Sequence, residues 1–407
     1  MKEISGGVCA PKGFRAGGIW CGIKASSRKR DLALIYSEKP CTAAAVFTRN
    51  RVKSASVLVS QKHLERGICR AVIANSGNAN ACTGEDGLRA AKKMAELAAD
   101  LFAIRTDEVA VASTGVIGVP LPVAAIESGI ESLASSLRSD ESGHEAALEA
   151  IMTTDTRKKG GAFEIEIEGK ALRLGAMVKG SGMIHPNLAT MLGFITTDAA
   201  ISREMLDAAL RRAVSRSFNS LSIDGDTSTN DTILVMASGL SGISPIETKG
   251  EAFEAFAAAL EALCVKLSRD MARDGEGATR LLTVTVTGAQ DEDSARSLAK
   301  AVVSSNLVKA ACFGADANWG RVLCAMGYSG VDFDPDHVDV SFAGKAGVIP
   351  VCKEGAACPF SEEDAKKVLL EDEIEIRIKA GAGLGEAAAW GCDLSYDYVK
   401  INGDYRS

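Results

Sequence analysis

Short apolar segments alternate with longer segments of helical periodicity along the 407-residue chain. Short β-branched and apolar runs are typical of buried strands, whereas apolar residues at three- and four-residue spacing are typical of helices covering a sheet. The two kinds of segment do not follow a strict strand–helix–strand repeat. The pattern therefore predicts a layered α/β (α+β) fold, with helices packed on mixed β-sheets.

The apolar runs predict the strands, and one pair of them forms a hairpin over residues 163–178 that turns at Glu168-Gly169. The other predicted strands are DLALIYS (31–37), AAVFT (44–48), SVLVS (56–60), AVIAN (71–75), EVAVAS (108–113), LLTVTVTGA (281–289), NLVKAACFG (306–314), VLCAMGYSG (322–330), HVDVSFAG (337–344), EIEIRIKAG (373–381) and AAAWGCDLSYDYVKI (387–401). The predicted helices cover 88–104, 122–138, 145–154, 202–218 with Ser202 as N-cap, 251–272 and 293–305. Residues 236–250 are the most loop-like stretch, but they lack the composition of a linker.

Charge and composition exclude several classes of partner. The net charge is -7 and the basic residues form no block, so a nucleic acid partner is not expected. The N-terminus lacks the apolar core of a signal peptide, and no run of about 18 apolar residues could span a membrane. We therefore expect a soluble, cytoplasmic protein, unless a targeting segment has been removed.

The eleven cysteines include no CxxC pair, which favours free thiols in a reducing compartment over disulfides or a zinc site. No HExxH or GxSxG motif occurs, and GAGLG (381–385) lacks the spacing of a dinucleotide-binding loop. The acidic stretch DGDTSTND (224–231) resembles an oxygen-ligand metal loop, but the EF-hand spacing is missing. We interpret it as an Asx-rich turn next to the active site, and expect neither a metal nor a nucleotide cofactor.

The segment KGSGMIHPNLATMLGFITTDA (179–199) leads from a glycine-rich loop through Ala189 and Thr190 into an apolar strand. Residue pattern alone makes Thr190 an ordinary strand threonine. The segment resembles the signature of the ornithine acetyltransferase family, the glutamate N-acetyltransferases of arginine biosynthesis. The resemblance extends over essentially the whole chain through APKGFRAGGIWCGIK, NSGNANACTG (75–84), STGVIG (113–118), MTTDT (152–156), DGDTSTNDT (224–232), DGEGATR (274–280), FGADANWGR (313–321) and AWGCDLSYDYVKINGDYRS.

The resemblance implies a precursor that cuts itself between Ala189 and Thr190, giving an α chain of residues 1–189 and a β chain of residues 190–407. Thr190 would attack the preceding carbonyl, and water would hydrolyse the resulting ester. The new α-amino group, whose ordinary pKa is about 7.7–8.0, can then act as the base for the Thr190 hydroxyl. The same resemblance makes Thr114 and Gly115, expected in a turn after strand 108–113, the oxyanion-hole pair.

Family positions for substrate binding correspond to Lys179, Thr190, Glu276 and Asn402, to Ser407, and to one threonine of Thr153-Thr154. We expect Lys179 to face a substrate carboxylate and Glu276 an ammonium group. Many relatives end in threonine where this chain has Ser407, and serine keeps the hydroxyl.

The resemblance implies ping-pong transfer of acetyl from N-acetylornithine to glutamate through acetyl-Thr190, without a cofactor, by a heterotetramer of two α and two β chains. Some relatives also use acetyl-CoA, and we favour this bifunctional form. An alternative is a self-processing amidase or aminopeptidase that passes the acyl group from Thr190 to water. A non-enzymatic alternative is an amino-acid-binding protein that is never cleaved.

Overall fold

A computed structural model describes residues 1–25, 27–185 and 191–404, which form two compact units. The first unit comprises Met1–Gly180, Asn187–Ser215 and Thr227–Leu267. The second comprises Ser181–Pro186, Arg216–Asp226 and Ser268–Ser407. Ala189, Thr190 and Ser407 lie outside the described residues. The division into residues 1–189 and 190–407 therefore stays a prediction about processing.

The first unit contains a mixed sheet with the strand order β1-β6-β7-β8-β10-β3-β4-β5, and β2 pairs with β3. These strands are β1 (Lys2–Ile4), β2 (Phe14–Ile19), β3 (Leu32–Phe47), β4 (Ile68–Asn78), β5 (Val109–Val116), β6 (Lys159–Ile167), β7 (Lys170–Lys179), β8 (Leu192–Thr197) and β10 (Thr232–Ala237). The hairpin of β6 and β7 turns at Glu168-Gly169, as the sequence predicts, and both turn residues have positive φ, 55° and 71°. Two residues with positive φ are the requirement of a tight type I′ hairpin.

The long strand β3 divides this sheet into two halves. Its pairing with β4 shifts register between Tyr36 and Cys41, and its later part pairs with β10. We call β2, β4, β5 and the start of β3 the first half, and β1, β6, β7, β8, β10 and the end of β3 the second half. Both halves share one apolar core, to which Ala112 of β5 and Phe194 of β8 contribute. The two halves therefore pack face to face.

The helices of the chain are α1 (Ala55–His63), α2 (Gly84–Phe102), α3 (Val123–Ser135), α4 (Glu141–Ile151), α5 (Arg203–Arg216), α6 (Glu251–Arg273), α7 (Glu292–Ser304), α8 (Asn306–Phe313), α9 (Trp319–Gly327), α10 (Glu362–Leu369) and α11 (Tyr396–Gly403). In the first unit, α1, α2 and α3 pack on the first half of the sheet through a core that includes Leu34, Met94 and Ile126. Helix α4 contributes Ala147 and Ile151 to the core that the two halves share. The alternation of side chains along β3 explains this arrangement, because Leu34 and its neighbour Ile35 point into different cores.

The second unit contains a sheet with the strand order β14-β13-β12-β15-β11-β16-β9. Its strands are β9 (Leu221–Ser222), β11 (Leu281–Ala289), β12 (Asp339–Gly344), β13 (Gly347–Lys353), β14 (Ala356–Ala357), β15 (Glu373–Lys379) and β16 (Gly385–Cys392). Residues of α7, α8, α9 and α10 cover this sheet in a single core that includes Val302, Cys312, Met326 and Val368. Both units therefore have the layered mixed-sheet architecture that the sequence predicts.

Three predicted strands are wrong, and all are short apolar runs that form helices. SVLVS lies in α1, NLVKAACFG in α8 and VLCAMGYSG in α9. Each helix begins after a capping side chain, Ser54, Ser305 or Asn318, which accepts a hydrogen bond from a backbone N–H of the first turn. Periodicity does not distinguish a buried strand from a short buried helix, and the cap is the deciding local signal.

Two other expectations need correction. The segment 387–401 is a strand only as far as Cys392, and α11 follows it after the N-cap Ser395. The predicted strands 31–37 and 44–48 are parts of the single strand β3. The eleven cysteines are free, and among the described residues no helix has both the length and the apolar composition needed to cross a membrane.

Candidate active site

The strand that follows Thr190 is held on both sides by the second half of the sheet. Strand β8 pairs with β7 at Lys179↔Leu192 and with β10 at Thr232↔Leu192. The backbone N–H of Thr232 also donates to the carbonyl of Met191 at 2.8 Å, and Met191 is buried. Backbone hydrogen bonds therefore fix the chain from Met191 onward. The roles predicted for Ala189 and Thr190 stay predictions.

Thr114 and Gly115 lie within strand β5, which continues to Val116, and not in the predicted turn. The residue at position 115 must be glycine for two reasons. Its φ is +134°, and a Cβ atom there would lie 2.4 Å from the carbonyl carbon of Gly77 on β4. This close approach keeps the backbone of β5 against β4 at the end of the strand. The N–H groups there are thereby held in a rigid frame, as an oxyanion hole requires.

Lys179 is the last residue of strand β7 in the second half of the sheet, and it is only 8% exposed. Its Nζ donates to the Oγ1 of Thr114 in the first half, at 3.3 Å. The structure thus brings together two residues that the sequence places 65 positions apart. A hydroxyl that accepts from a cation becomes a stronger donor through its own proton. The pair therefore has the polarity needed to stabilise a developing negative charge.

Asp155, which the sequence analysis did not single out, organises the surroundings of Lys179. Its carboxylate accepts the backbone N–H of Thr153 at 3.0 Å and that of Gly180 at 2.7 Å, and it pairs with the buried Lys159 at 2.6 Å. Burial raises the pKa of Asp155, but the charges of Lys179 and Lys159 outweigh it, so that the pKa falls to about 2. Asp155 is therefore a charged buried anchor for both chain segments.

Thr153 and Thr154 are both half-buried beside this anchor. A half-buried amine approaches the same segment, because the Nζ of Lys24 donates to the carbonyl of Met152 at 2.8 Å. Burial, opposed by the charge of Asp31, lowers the pKa of Lys24 to about 8. Lys24 is the last residue of the family motif APKGFRAGGIWCGIK. Its place in that motif is the sequence feature that could have identified it as a site residue.

The acidic stretch 224–231 forms turns closed by its own side chains, as predicted. The N–H of Asp226 is bound by the carboxylate of Asp224, and the N–H of Asn230 by the hydroxyl of Ser228. Asp231 is buried at the start of β10, and burial raises its pKa well above the ordinary value, although Ser228 and Lys179 oppose the shift. Its Oδ2 has no hydrogen-bond partner among the described residues.

Glu276 and Asn402 form a separate group in the second unit. The Nδ2 of Asn402 donates to the Oε2 of Glu276 at 2.8 Å, and Glu276 is only 7% exposed. The backbone N–H of Glu276 donates to the carbonyl of Ser181, and a Cβ atom on Gly182 would collide with the Glu276 carboxylate. The second unit therefore places two predicted substrate residues in contact, beside the glycine-rich loop.

Comparisons with known proteins agree with this architecture. The ArgJ family model matches residues 15–407. The arginine biosynthesis bifunctional protein ArgJ of Symbiobacterium thermophilum is 53% identical, and the match covers 100% of both chains. The protein of the same name from Caldanaerobacter subterraneus subsp. tengcongensis is 51% identical, again over 100% of both chains.

The chain belongs to the ArgJ family. It is therefore a bifunctional acetyltransferase of arginine biosynthesis, and the amidase alternative is not supported. A solved ArgJ structure, that of the arginine biosynthesis bifunctional protein from Bacillus halodurans, matches with 44% identity and a TM-score of 0.50. The match covers 99% of that chain but 53% of this one. The ArgJ family thus includes a solved chain about half as long.

Proposed function

We propose that this ArgJ chain cuts itself between Ala189 and Thr190 and then transfers acetyl from N-acetylornithine to glutamate through acetyl-Thr190. The contact between Lys179 and Thr114 is the observation that carries the proposal. Lys179 pairs in the sheet with Leu192, two residues after Thr190, and Thr114 adjoins Gly115. Thr190 precedes a strand of the same sheet that holds Lys179 and Thr114, the polar groups suited to an oxyanion.

In the first reaction, the Oγ of Thr190 attacks the carbonyl carbon of Ala189 and the acyl group moves from nitrogen to oxygen. Water then hydrolyses the ester, which leaves a carboxylate on Ala189 and an α-amino group on Thr190. The amine has an ordinary pKa of about 7.7–8.0, so it can accept the hydroxyl proton near neutral pH. Cleavage thereby creates the base that acetyl transfer needs.

In acetyl transfer, the Oγ of Thr190 attacks the acetyl carbonyl of N-acetylornithine while the α-amino group accepts its proton. The tetrahedral intermediate collapses to acetyl-Thr190, and ornithine leaves as the amine. The amino group of glutamate attacks the acetyl ester in turn, and N-acetylglutamate leaves. Both acetyl-transfer steps pass through an oxyanion, which the hydroxyl of Thr114 and the backbone N–H of Gly115 stabilise.

Two buried charged side chains serve substrate recognition. Lys179 receives the substrate carboxylate, and its burial strengthens that interaction. Glu276, held by Asn402, receives the ammonium of ornithine or a donor close to it. One of Thr153 and Thr154, and Ser407, complete the set of substrate-binding residues.

The two fragments stay associated because they share one sheet. Strand β8 belongs to residues 190–407 and lies between β7 of the other fragment and β10. The solved Bacillus halodurans chain covers 53% of this chain, and residues 190–407 make up a similar share. We extend the proposal to a heterotetramer of two α and two β chains.

The second donor and the compartment complete the proposal. The relatives carry the description "bifunctional", and we assign acetyl-CoA as the second acetyl donor, used as a co-substrate without any metal or cofactor. Eleven free cysteines fit a reducing compartment, and we assign the protein to the cytoplasm.

Denaturing mass spectrometry tests the cleavage. Wild type should give two fragments, residues 1–189 and 190–407, whereas Thr190→Ala should give one chain. Thr190→Ser retains a hydroxyl and should still be cleaved. An intact wild-type chain that persists after purification would remove the amine base from the mechanism, and would leave the uncleaved binding protein as the alternative.

Incubation of mature protein with N-acetylornithine, with and without glutamate, tests the transfer. We expect N-acetylglutamate and ornithine in equal amounts when glutamate is present. Release of free acetate without N-acetylglutamate would instead indicate hydrolysis. Acetyl-CoA in place of N-acetylornithine tests the second donor, with N-acetylglutamate again as the expected product.

A further inference from the structure

The side chain of Asn230 connects the two halves of the first unit's sheet. Its Nδ2 donates to the carbonyl of Ala79 at 2.6 Å and to that of Ser113 at 2.7 Å, while its Oδ1 accepts from the hydroxyl of Thr229 at 2.5 Å. The residue is only 6% exposed. Both amide hydrogens are thus engaged in a buried site, so the orientation of this amide is fixed.

One of these bonds reaches the peptide that precedes the oxyanion pair. The carbonyl of Ser113 and the N–H of Thr114 belong to the same planar peptide group. When Asn230 fixes that carbonyl, it also fixes the direction of the Thr114 N–H and the start of the Thr114–Gly115 segment.

Asn230 is also connected to the chain that leads into strand β8, which follows Thr190 in the sequence. Asn230 precedes β10 by two residues, and Thr232, the first residue of β10, donates its N–H to the carbonyl of Met191. Met191 is bonded directly to Thr190. The path from Met191 to the Ser113–Thr114 peptide therefore runs through one backbone hydrogen bond, a short stretch of chain and the Asn230 amide.

Lys179, which pairs with Leu192, makes a second side-chain link to Thr114. The path along the strands of the sheet is much longer. It leads from β8 across β10, β3 and β4 to β5, and it passes the register shift of β3 between Tyr36 and Cys41. An irregular strand transmits position less rigidly than a direct hydrogen bond. Position matters here, because a misplacement of about 1 Å can cost about 100-fold in rate.

We propose that Asn230 is a positioning residue that fixes strand β8, which follows Thr190 in the sequence, relative to the oxyanion pair Thr114–Gly115. It serves both self-cleavage and acetyl transfer, because both need the same geometry. This inference rests on the function proposed above.

The test compares two isosteric substitutions at buried asparagines of the first unit. Asn230→Asp removes both amide donors and sets carboxylate oxygens against two carbonyls. Asn80→Asp is the control: the Nδ2 of Asn80 donates to the carbonyl of Gly87 at 2.9 Å, and its Oδ1 accepts from Thr83. For Asn230→Asp we expect self-cleavage and the kcat of acetyl transfer to fall about 10- to 100-fold, as for a lost buried hydrogen bond at a site where geometry limits the rate.

The Michaelis constant separates positioning from general destabilisation. A positioning role predicts that KM for N-acetylornithine stays within about threefold in mature Asn230→Asp, and that Asn80→Asp retains kcat whatever its melting temperature. Equal losses of kcat in the two variants would overturn the inference, as would a change confined to KM. If Asn230→Asp does not fold, Asn230→Ala removes the same donors without a charge and is judged by the same criteria. Failure of wild type to be cleaved, or to transfer acetyl, would instead overturn the proposed function.

Discussion

The ammonium group of Lys179 lies 3.3 Å from the hydroxyl of Thr114, and the two residues come from opposite halves of one sheet. If this contact makes the hydroxyl a better donor to the oxyanion, the two side chains act as a unit. Thr114→Val should then lower kcat about 100- to 1000-fold, the usual effect of losing one oxyanion donor. Steady-state kinetics of the mature protein measures this directly.

A double-mutant cycle that combines Thr114→Val with Lys179→Met tests whether the two side chains act together. Contacting residues commonly show coupling of about 0.5–3 kcal/mol, so the double variant should lose less activity than the product of the two single losses. If the activity loss of the double variant equals the product of the two single losses, Lys179 contributes independently of Thr114. Because Lys179 is also the proposed carboxylate partner, its substitution should additionally raise KM.

The buried carboxylate of Asp155 makes a second prediction, which concerns stability. Asp155→Asn removes the charge that faces Lys159, a residue with 1% of its side chain exposed, and breaking a buried pair costs about 3–5 kcal/mol. Denaturant unfolding of the uncleavable Thr190→Ala background measures the loss in a single chain. Asp86→Asn, which removes an exposed ion pair with Arg89, is the control and should change stability by less than about 1 kcal/mol.

The same substitution should change the acid sensitivity of the protein. The pKa of Asp155 falls from 3.8 to about 2 in the folded state, so the unfolded chain binds the proton first as the pH falls. The stabilisation is complete above about pH 4 and is lost as the pH approaches 2. As the pH falls from about 4 to 2, the free energy of unfolding should therefore decrease less in Asp155→Asn than in the Thr190→Ala protein that carries Asp155. An unchanged pH dependence would contradict a charged Asp155.

The sequence predicts local features of this molecule better than long-range ones. The hairpin turn at Glu168-Gly169 follows from two residues that tolerate positive φ, and it is confirmed. The apolar runs of α8 and α9 predict strands, because a short apolar run fits both states until its cap is recognised. The meeting of Lys179 with Thr114, and of Asp155 with Gly180, depends on tertiary packing that no local pattern encodes. The proposed cleavage site between Ala189 and Thr190 rests on family resemblance alone.

Cleavage should not separate the two fragments. Residues 190–407 contribute β8 and β10 to the middle of the first unit's sheet, where β7 and β3 of residues 1–189 flank them. Separating the fragments would break the backbone hydrogen bonds between β8 and β7 and between β10 and β3. It would also expose buried side chains such as Phe194. Native mass spectrometry of cleaved wild type should therefore show both fragments in one particle, with the same stoichiometry as uncleaved Thr190→Ala. Elution of separate fragments without denaturant would contradict the shared sheet.

The last prediction concerns Asp224, because it holds the loop that precedes the bond proposed for self-cleavage. Its carboxylate accepts the backbone N–H groups of Met183 at 2.5 Å and Ile184 at 2.9 Å, and Met183 has an unusual positive φ of 55°. Asp224→Ala leaves both N–H groups without this acceptor, and the loop can relax from the conformation that it adopts before the cut. Self-cleavage should slow about 10-fold, which a time course of the remaining 407-residue precursor measures. Asp226→Asn, at an exposed position in the neighbouring turn, is the matched control and should be cleaved at the wild-type rate. Equal cleavage rates in the Asp224 variant and wild type would show that the loop does not need this anchor, since the substitution removes both N–H bonds to the loop, together with the bond to the N–H of Asp226.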